Sequence, residues 1–272
     1  MIEEESIGNV KKFRLARSVA GRPLYFTCAY WVDGLMVDTG CAHTVSELVN
    51  AVGDLSIHSI VNSHSHEDHV GGNAALSAKF GAEIRAHTAA LPILRAPRDK
   101  PLRLYQRVMW GYPEPCAGLP LGDVVETDKH RFHVINTPGH SRDHISLYEP
   151  DEGWLFCGDA YVGGRDRALR RDYNIWEIIS SLKEMAKLTP SILFPGSGNA
   201  RPDPVGEMIS KIIYLEEMGE RVLDLHGKGW SRHKISRKLF GHEMPIAYIT
   251  FGHFSGRNLV RSYIDDRSDP RS

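Results

Sequence analysis

Three histidines and two carboxylates fall within residues 64–69: His64, His66, Glu67, Asp68 and His69. A stretch this polar is a poor hydrophobic core, because each imidazole or carboxylate taken out of water needs a partner. A divalent cation is one such partner. Nitrogen from His and oxygen from Asp are the donors that a borderline metal such as Zn²⁺ takes. Spacing adds geometry. His64 and His66 are two apart, so on an extended segment they share a side. Asp68 and His69 are adjacent and cannot share a face of a regular element; they suit a tight turn into a helix, or a second metal beside the first. The flanks constrain the fold as well. Residues 57–61 form a short apolar, β-prone run, and Gly71-Gly72 leads into a helix-like stretch at 74–80. The cluster thus sits at the C-terminal end of a strand, where layered α/β folds put chemistry. In a chain with 14 His, the plainer alternative is a solvated loop that happens to be rich in histidine.

Further motifs follow in order. Val37-Asp38-Thr39-Gly40 precedes the cluster; Thr137-Pro138-Gly139-His140-Ser141, Phe156-Cys157-Gly158-Asp159 and Leu193-Phe194-Pro195-Gly196-Ser197-Gly198 come after it. Taken together with His64-Ser65-His66-Glu67-Asp68-His69, they resemble the ordered signature of the metallo-β-lactamase superfamily over about residues 24–200. The resemblance implies an α+β fold, a four-layer αβ/βα sandwich. It also implies a ligand set: His64, His66 and His140 on a first metal, with Asp68, His69 and a bridging Asp159 on a second. Zn²⁺, one or two per chain, is the implied cofactor. Neutral imidazoles leave the first metal its full charge, so that a water held there ionises near neutral pH, against ~15.7 for bulk water. Asp68 is placed to orient that water, which makes Asp68 and Asp159 the candidate catalytic residues. Asp38 and His144 are candidates to support the ligands from behind.

One departure matters. Ser197 stands where the family usually has its last His ligand, and a neutral hydroxyl is a far weaker ligand for zinc. The second position then binds metal weakly, takes iron or manganese instead, or is completed by another group such as His253. A site reduced to two His and one carboxylate is also the pattern of non-haem iron oxygenases.

The periodicity outlines the rest. Residues 26–32 and 35–37 flank Asp33-Gly34 as a β-hairpin. Val45, Leu48, Val49 and Val52 have helical spacing. Strands are expected at 82–86, 130–136, 145–148, 154–157 and 192–194, and an amphipathic helix at 175–188. Residues 95–120 carry five prolines, Pro97, Pro101, Pro113, Pro115 and Pro120, and read as a lid insertion or a surface loop. The expected organisation is a metallo-β-lactamase-like domain at 1–205 and a small helical extension at 206–272, with helices at 208–225, 231–240 and 255–263. From 227 to 272 Lys and Arg exceed Asp and Glu by nine to four. Short helices of this kind resemble a helix-turn-helix unit, which leaves nucleic acid open as a partner. A helical cap or a homodimer contact is the favoured reading.

Composition excludes several classes. The net charge of −1, with 42% apolar and 25% charged residues, is that of an ordinary globular protein. No apolar run approaches the ~18 residues of a membrane span. The acidic start, Met1-Ile2-Glu3-Glu4-Glu5, is not a secretory signal, and four scattered cysteines are no disulfide framework. A cytoplasmic protein is expected. The favoured function is a metal-dependent hydrolase acting on an ester, thioester, lactone or phosphodiester of a small-molecule substrate. The single-domain length and the stretch Gly158-Asp159-Ala160-Tyr161-Val162-Gly163-Gly164-Arg165 lean toward the hydroxyacylglutathione-hydrolase-like branch that the resemblance includes. Arg165 and Arg167, with Ser197, are candidate contacts to an anionic substrate; the alternative for the arginines is a solvated surface. Competing readings are an iron oxygenase acting on a small thiol or persulfide, and a binding or regulatory protein with a degenerate metal site.

Overall fold

A computed structural model describes residues 1–266. The chain divides into two compact units: residues 1–136, 143–162 and 190–203 form the first, and residues 137–142, 163–189 and 204 onward the second.

The first unit holds two large sheets and a two-stranded ribbon of Ser18–Val19 with Arg22–Pro23. The N-terminal sheet has seven strands in chain order: β1 (Ile2–Ile7), β2 (Val10–Leu15), β3 (Thr27–Val32), β4 (Leu35–Val37), β5 (Ser59–Val61), β6 (Glu83–Ala86) and β7 (Leu119–Pro120). Pairing is antiparallel from β1 to β4 and parallel from β4 to β7. The second sheet has six strands: β8 (Val124–Glu126), β9 (Arg131–Asn136), β10 (Ile145–Glu149), β11 (Trp154–Gly158), β12 (Ile192–Pro195) and β13 (Arg201–Pro202). Within it, only β11 and β12 pair in parallel.

Side-chain alternation decides what each face meets. Cys28, Tyr30, Val32, Leu35, Val37 and Val61 point from the first sheet into a core shared with Phe132, Leu147, Phe156 and Phe194 of the second. Tyr30 meets the Phe194 ring edge-on at 5.4 Å, and Phe156 stacks on Phe194 at 4.7 Å. The opposite face of the first sheet presents Phe13, Leu15, Ala29, Met36, Ile60 and Ile84. Two helices cover it, α1 (Val45–Val52) through Leu48 and Val52, and α2 (Asn73–Phe80) through Leu76. These helices connect β4 to β5 and β5 to β6, which is why those strands run parallel.

The 95–120 segment is not irregular throughout. Short helices α3 (Leu91–Arg95) and α4 (Leu104–Met109) form around it, and it ends in β7. The prolines limit element length instead of abolishing structure, and Pro120 sits on an edge strand, where a missing N–H is tolerated. Tyr105 and Gln106 of α4 are buried.

The second unit is helical: α5 (Ile175–Lys187), α6 (Val205–Gly227), α7 (Arg232–Phe240), α8 (Pro245–Ile249) and α9 (Gly256–Asp265), with a two-residue ladder between Leu169–Arg170 and Phe254–Ser255. The sequence locates α5, α6, α7 and α9 and misses α8. Ser231 and Ser255 cap α7 and α9, accepting from the N–H groups of Lys234 and Asn258, as their position ahead of each apolar run predicts. Leu182, Met185, Leu215, Val222, Leu259 and Tyr263 are buried at these helices. An ion pair of 2.8 Å joins Lys211 to Asp166, with side chains 5% and 24% exposed. Among the described residues, no helix is long and apolar enough to cross a membrane.

Candidate metal centre

Four chain segments of the first unit reach the centre, each leaving the C-terminal end of a parallel strand. Asp38 follows β4, residues 62–69 follow β5, Asp159 follows β11, and Gly196-Ser197 follows β12. Parallel strands aim their C-terminal ends the same way, so residues far apart in sequence arrive together. Backbone bonds lock the segments: Asp38 N–H to the Val61 carbonyl at 3.0 Å, Ile145 N–H to Ser63 at 2.8 Å, and Gly196 N–H to Gly158 at 2.7 Å. Asn62, Asn73 and Thr39 form a buried side-chain network with bonds of 2.8–3.1 Å that fixes the ends of the histidine loop. Two glycines permit the closeness. A Cβ on Gly71 would lie 2.2 Å from the Cys41 carbonyl carbon, and one on Gly196 would lie 2.4 Å from Asp159 Oδ1.

Asp38 organises the candidate ligands. Its φ of +58° lies in the left-handed region, which Asp and Asn enter more readily than most residues. Its buried carboxylate accepts from Ser63 N–H at 2.7 Å, from the Ser63 hydroxyl at 2.7 Å and from His69 Nδ1 at 2.8 Å. The Ser63 oxygen also lies 3.0 Å from His64 Nδ1. Its proton is given to Asp38, so it accepts from His64. Both imidazoles therefore carry a proton on Nδ1 and turn Nε2 to the centre. His69 Nε2 lies 3.8 Å from Asp68 and 3.6 Å from Asp159, and it is a fully buried atom with no hydrogen-bond partner among the described residues. Ligand atoms of His64, His69 and Asp159 fall within 4.8 Å of one another. An unbonded imidazole nitrogen facing two carboxylates, with a third carboxylate behind the ring, fits a divalent cation: the donors match and the negative charge calls for it.

Electrostatics agree. Burial alone lowers the basicity of His69, but Asp38, Asp159 and Asp68 outweigh it and push its pKa well above the ordinary value. Burial raises the Asp68 carboxyl above its usual range, against the pull of His69. His144 behaves oppositely: burial lowers its pKa to about 4. It is neutral, and its Nε2 accepts from Asp159 N–H at 3.1 Å, which orients the backbone of that residue.

The sequence candidates are distributed as follows. His64, His66, Asp68, His69, Asp159, Asp38, His144 and Ser197 lie in the first unit; His140, Arg165 and Arg167 lie in the second. The His66 ring stands edge-on to His64 at 4.5 Å. His140 is 3.2 Å from the Tyr173 hydroxyl, and α5 supports its loop through Asn174 N–H to Gly139 at 2.9 Å. Arg167 donates to the Phe240 carbonyl, and Arg165 lies over the Tyr214 ring at 5.5 Å. Ser197 hydrogen-bonds the Tyr25 hydroxyl, whose pKa is raised by burial and then by Asp159. His253 pairs with Asp172 of its own unit at 3.8 Å.

Four supporting groups escaped the sequence reading: Ser63, Tyr25, Asp143, which accepts from Ser65 N–H at 2.8 Å, and Gln106, which donates to Glu67 at 2.7 Å. Only Asp143 carried a signal, its place three residues after His140.

Comparison with known proteins bears on this geometry. Residues 27–197 match the family model described as the metallo-beta-lactamase superfamily. A "Beta-lactamase-like protein 2 homolog" of Drosophila melanogaster is 26% identical over 204 residues, covering 70% of this chain and 63% of that protein. A "Hydroxyacylglutathione hydrolase" of Thermosynechococcus vestitus is 35% identical over 109 residues, 40% of this chain and 36% of its own length. The chain thus spans less than two thirds of either relative. A metallo-beta-lactamase family protein from Thermus thermophilus superposes with a TM-score of 0.69 at 18% identity, over 95% of this chain and 93% of that one. A metallo-beta-lactamase from Pontibacter korlensis gives 0.61 at 16%, over 78% and 99%. These likenesses show the fold, an α+β sandwich of the metallo-β-lactamase kind.

Proposed function

The chain belongs to the metallo-β-lactamase superfamily, and on that premise we propose that it is a metal-dependent hydrolase acting on a small-molecule ester-type bond. A thioester is the substrate class we favour, because several relatives bear the name hydroxyacylglutathione hydrolase. The observation that carries the reading is the chain from Asp38 through His69 to the facing carboxylates of Asp68 and Asp159. We assign His69, Asp68 and Asp159 to one metal, and His64, His66 and His140 to the other, with zinc as the favoured ion. When bound, the metal lowers the pKa of a coordinated water toward neutrality and polarises the bond to be cut.

The protein residues do the rest. Asp38 fixes the His69 tautomer and, through Ser63, that of His64. Asp68 accepts the proton of the attacking water and aims it; its burial favours the protonated form that results. His144 holds the Asp159 backbone so that its carboxylate points inward. Ser197 and Tyr25 offer hydroxyl donors to the group that leaves.

A panel of a thioester, a lactone, a carboxylic ester and bis-p-nitrophenyl phosphate, with and without chelator, tests the proposal. Turnover of at least one substrate, abolished by chelator and restored by zinc, is expected. Its absence across the panel overturns the reading. Iron in place of zinc after purification without added metal, with oxygen uptake on a thiol, supports an oxygenase instead.

A further inference from the structure

The three C-terminal helices carry a second surface of their own. Arg237, His242, Tyr248 and Arg257 line one concave hollow of about 210 Å³ between α7, α8 and the start of α9. Most cations nearby are spent: Lys228 pairs with Asp224, Arg232 with Asp265 and Arg261 with Asp266. Arg237, Lys238 and Arg257 are exposed and make no ion pair among the described residues. The one acid in the lining, Glu243, accepts Gly256 N–H at 2.7 Å. Beside the hollow stand apolar side chains that a solvated cap has no reason to display: Tyr248 is 68% exposed, Ile249 59% and Phe251 80%. Phe251 also has a φ of +51°, a backbone conformation that residues with a Cβ rarely adopt. An aromatic ring held outward in the left-handed region, where glycine would relieve the strain, is a feature to explain by use.

We propose that this surface binds single-stranded nucleic acid, with phosphates held by Arg237 and Arg257 in the hollow and unpaired bases stacked on Tyr248 and Phe251. Guanidinium groups suit phosphate oxygens, and exposed rings suit the flat faces of bases in any order of sequence. A duplex hides those faces. A second copy of the chain is a poor occupant, since a two-fold contact brings Arg237, Lys238 and Arg257 against their own images. An anionic bilayer presents a flat plane of headgroups, whereas these arginines face into a concavity. The inference does not depend on the metal centre.

The test uses the full chain and fluorescence anisotropy with a short labelled oligouridylate, an oligodeoxythymidylate and a duplex of the same length, from about 50 to 200 mM KCl. Both single strands are expected to bind better than the duplex; the ratio between them says whether RNA or DNA is preferred. Two phosphate contacts give a slope of log affinity against log salt near −1.4, at about 0.7 each for single strands. Arg237→Ala should flatten that slope by about 0.7. Phe251→Gly should weaken binding about tenfold while raising the melting temperature, because glycine accepts the left-handed backbone; a ring with only a packing role would lower both. The proposal is overturned by no binding, by binding that survives Arg237→Glu with Arg257→Glu in a protein of unchanged circular dichroism, by retention on phosphatidylserine vesicles in place of oligonucleotides, or by a dimer that Phe251→Gly dissolves without any effect on oligonucleotide.

Discussion

Replacing Asp38 by Asn tests the logic of the metal centre with little disturbance of shape. The side chains are nearly isosteric, and Asn tolerates a φ of +58° as well as Asp does. What changes is the accepting power. The carboxylate takes three hydrogen bonds, from Ser63 N–H and hydroxyl and from His69 Nδ1, at 2.7, 2.7 and 2.8 Å. An amide offers one oxygen. If that oxygen keeps Ser63 N–H, the NH₂ faces the other two donors. His69 must then move its proton to Nε2, the atom proposed to face the metal. A hydrogen bond to a charged group contributes about 1.5–3 kcal/mol, which is about a 10- to 150-fold change in an equilibrium constant; loss of such outer carboxylates typically weakens metal affinity about 10- to 100-fold. The assay is a competition titration of zinc against a fluorescent chelator, on wild type and variant, with circular dichroism to confirm the fold. Ser63→Ala is the graded control: it leaves the bond from His69 to Asp38 in place and should cost less than Asp38→Asn. Equal zinc affinity in wild type and Asp38→Asn refutes the argument that tautomer control by Asp38 shapes the site.

Ser197→His should raise metal content per chain measured by elemental analysis; unchanged stoichiometry shows that another group already completes that position. Lys211→Met leaves the half-buried Asp166 carboxylate without its partner and should destabilise by about 1–3 kcal/mol, whereas Lys211→Met with Asp166→Leu should recover part of the loss; a double variant as weak as the single one contradicts this. The carboxyl of Asp172 is buried in part, which raises its pKa, but Arg170 at 2.8 Å outweighs burial and the net shift is downward. A carboxyl lowered in the folded state adds stability above its unfolded pKa of about 3.9 and loses it as pH falls through the folded value. Asp172→Asn should therefore lower the melting temperature at neutral pH and converge on wild type at the acid end; a constant gap across that range argues against the linkage.

The histidine loop was legible because its chemistry is local. Three imidazoles and two carboxylates in 64–69 identify themselves without knowledge of their partners, and the apolar run before them reveals the strand. The hairpin of β3 and β4 was legible from Asp33-Gly34, and α1 from the spacing of Val45, Leu48, Val49 and Val52. The first hairpin, β1 with β2, was not. Glu3, Glu4 and Glu5 are consecutive and exposed, so alternation is hidden, and the strand is held by pairing, with Glu5 against Lys12 at 3.3 Å. α8 was missed because five residues carry no period. The roles of Ser63 and Gln106 depend on partners 25 and 39 positions away, which no local pattern encodes. Arg167 donates to the carbonyl that ends α7, a partner 73 positions away that its place after Asp159 does not encode.

The proposed ligands follow parallel strands of both sheets, which bears on how the protein matures. Asp38 and His69 follow strands of the first sheet and Asp159 follows a strand of the second, so neither sheet alone brings the three together. If these residues hold the ion, its capture comes late, after the second sheet has closed on the first, because long loops are slow to close. On that assignment a truncated polypeptide ending before β11 lacks Asp159 and should acquire no tight ion, while a chain that has captured one gains the binding free energy as resistance to unfolding.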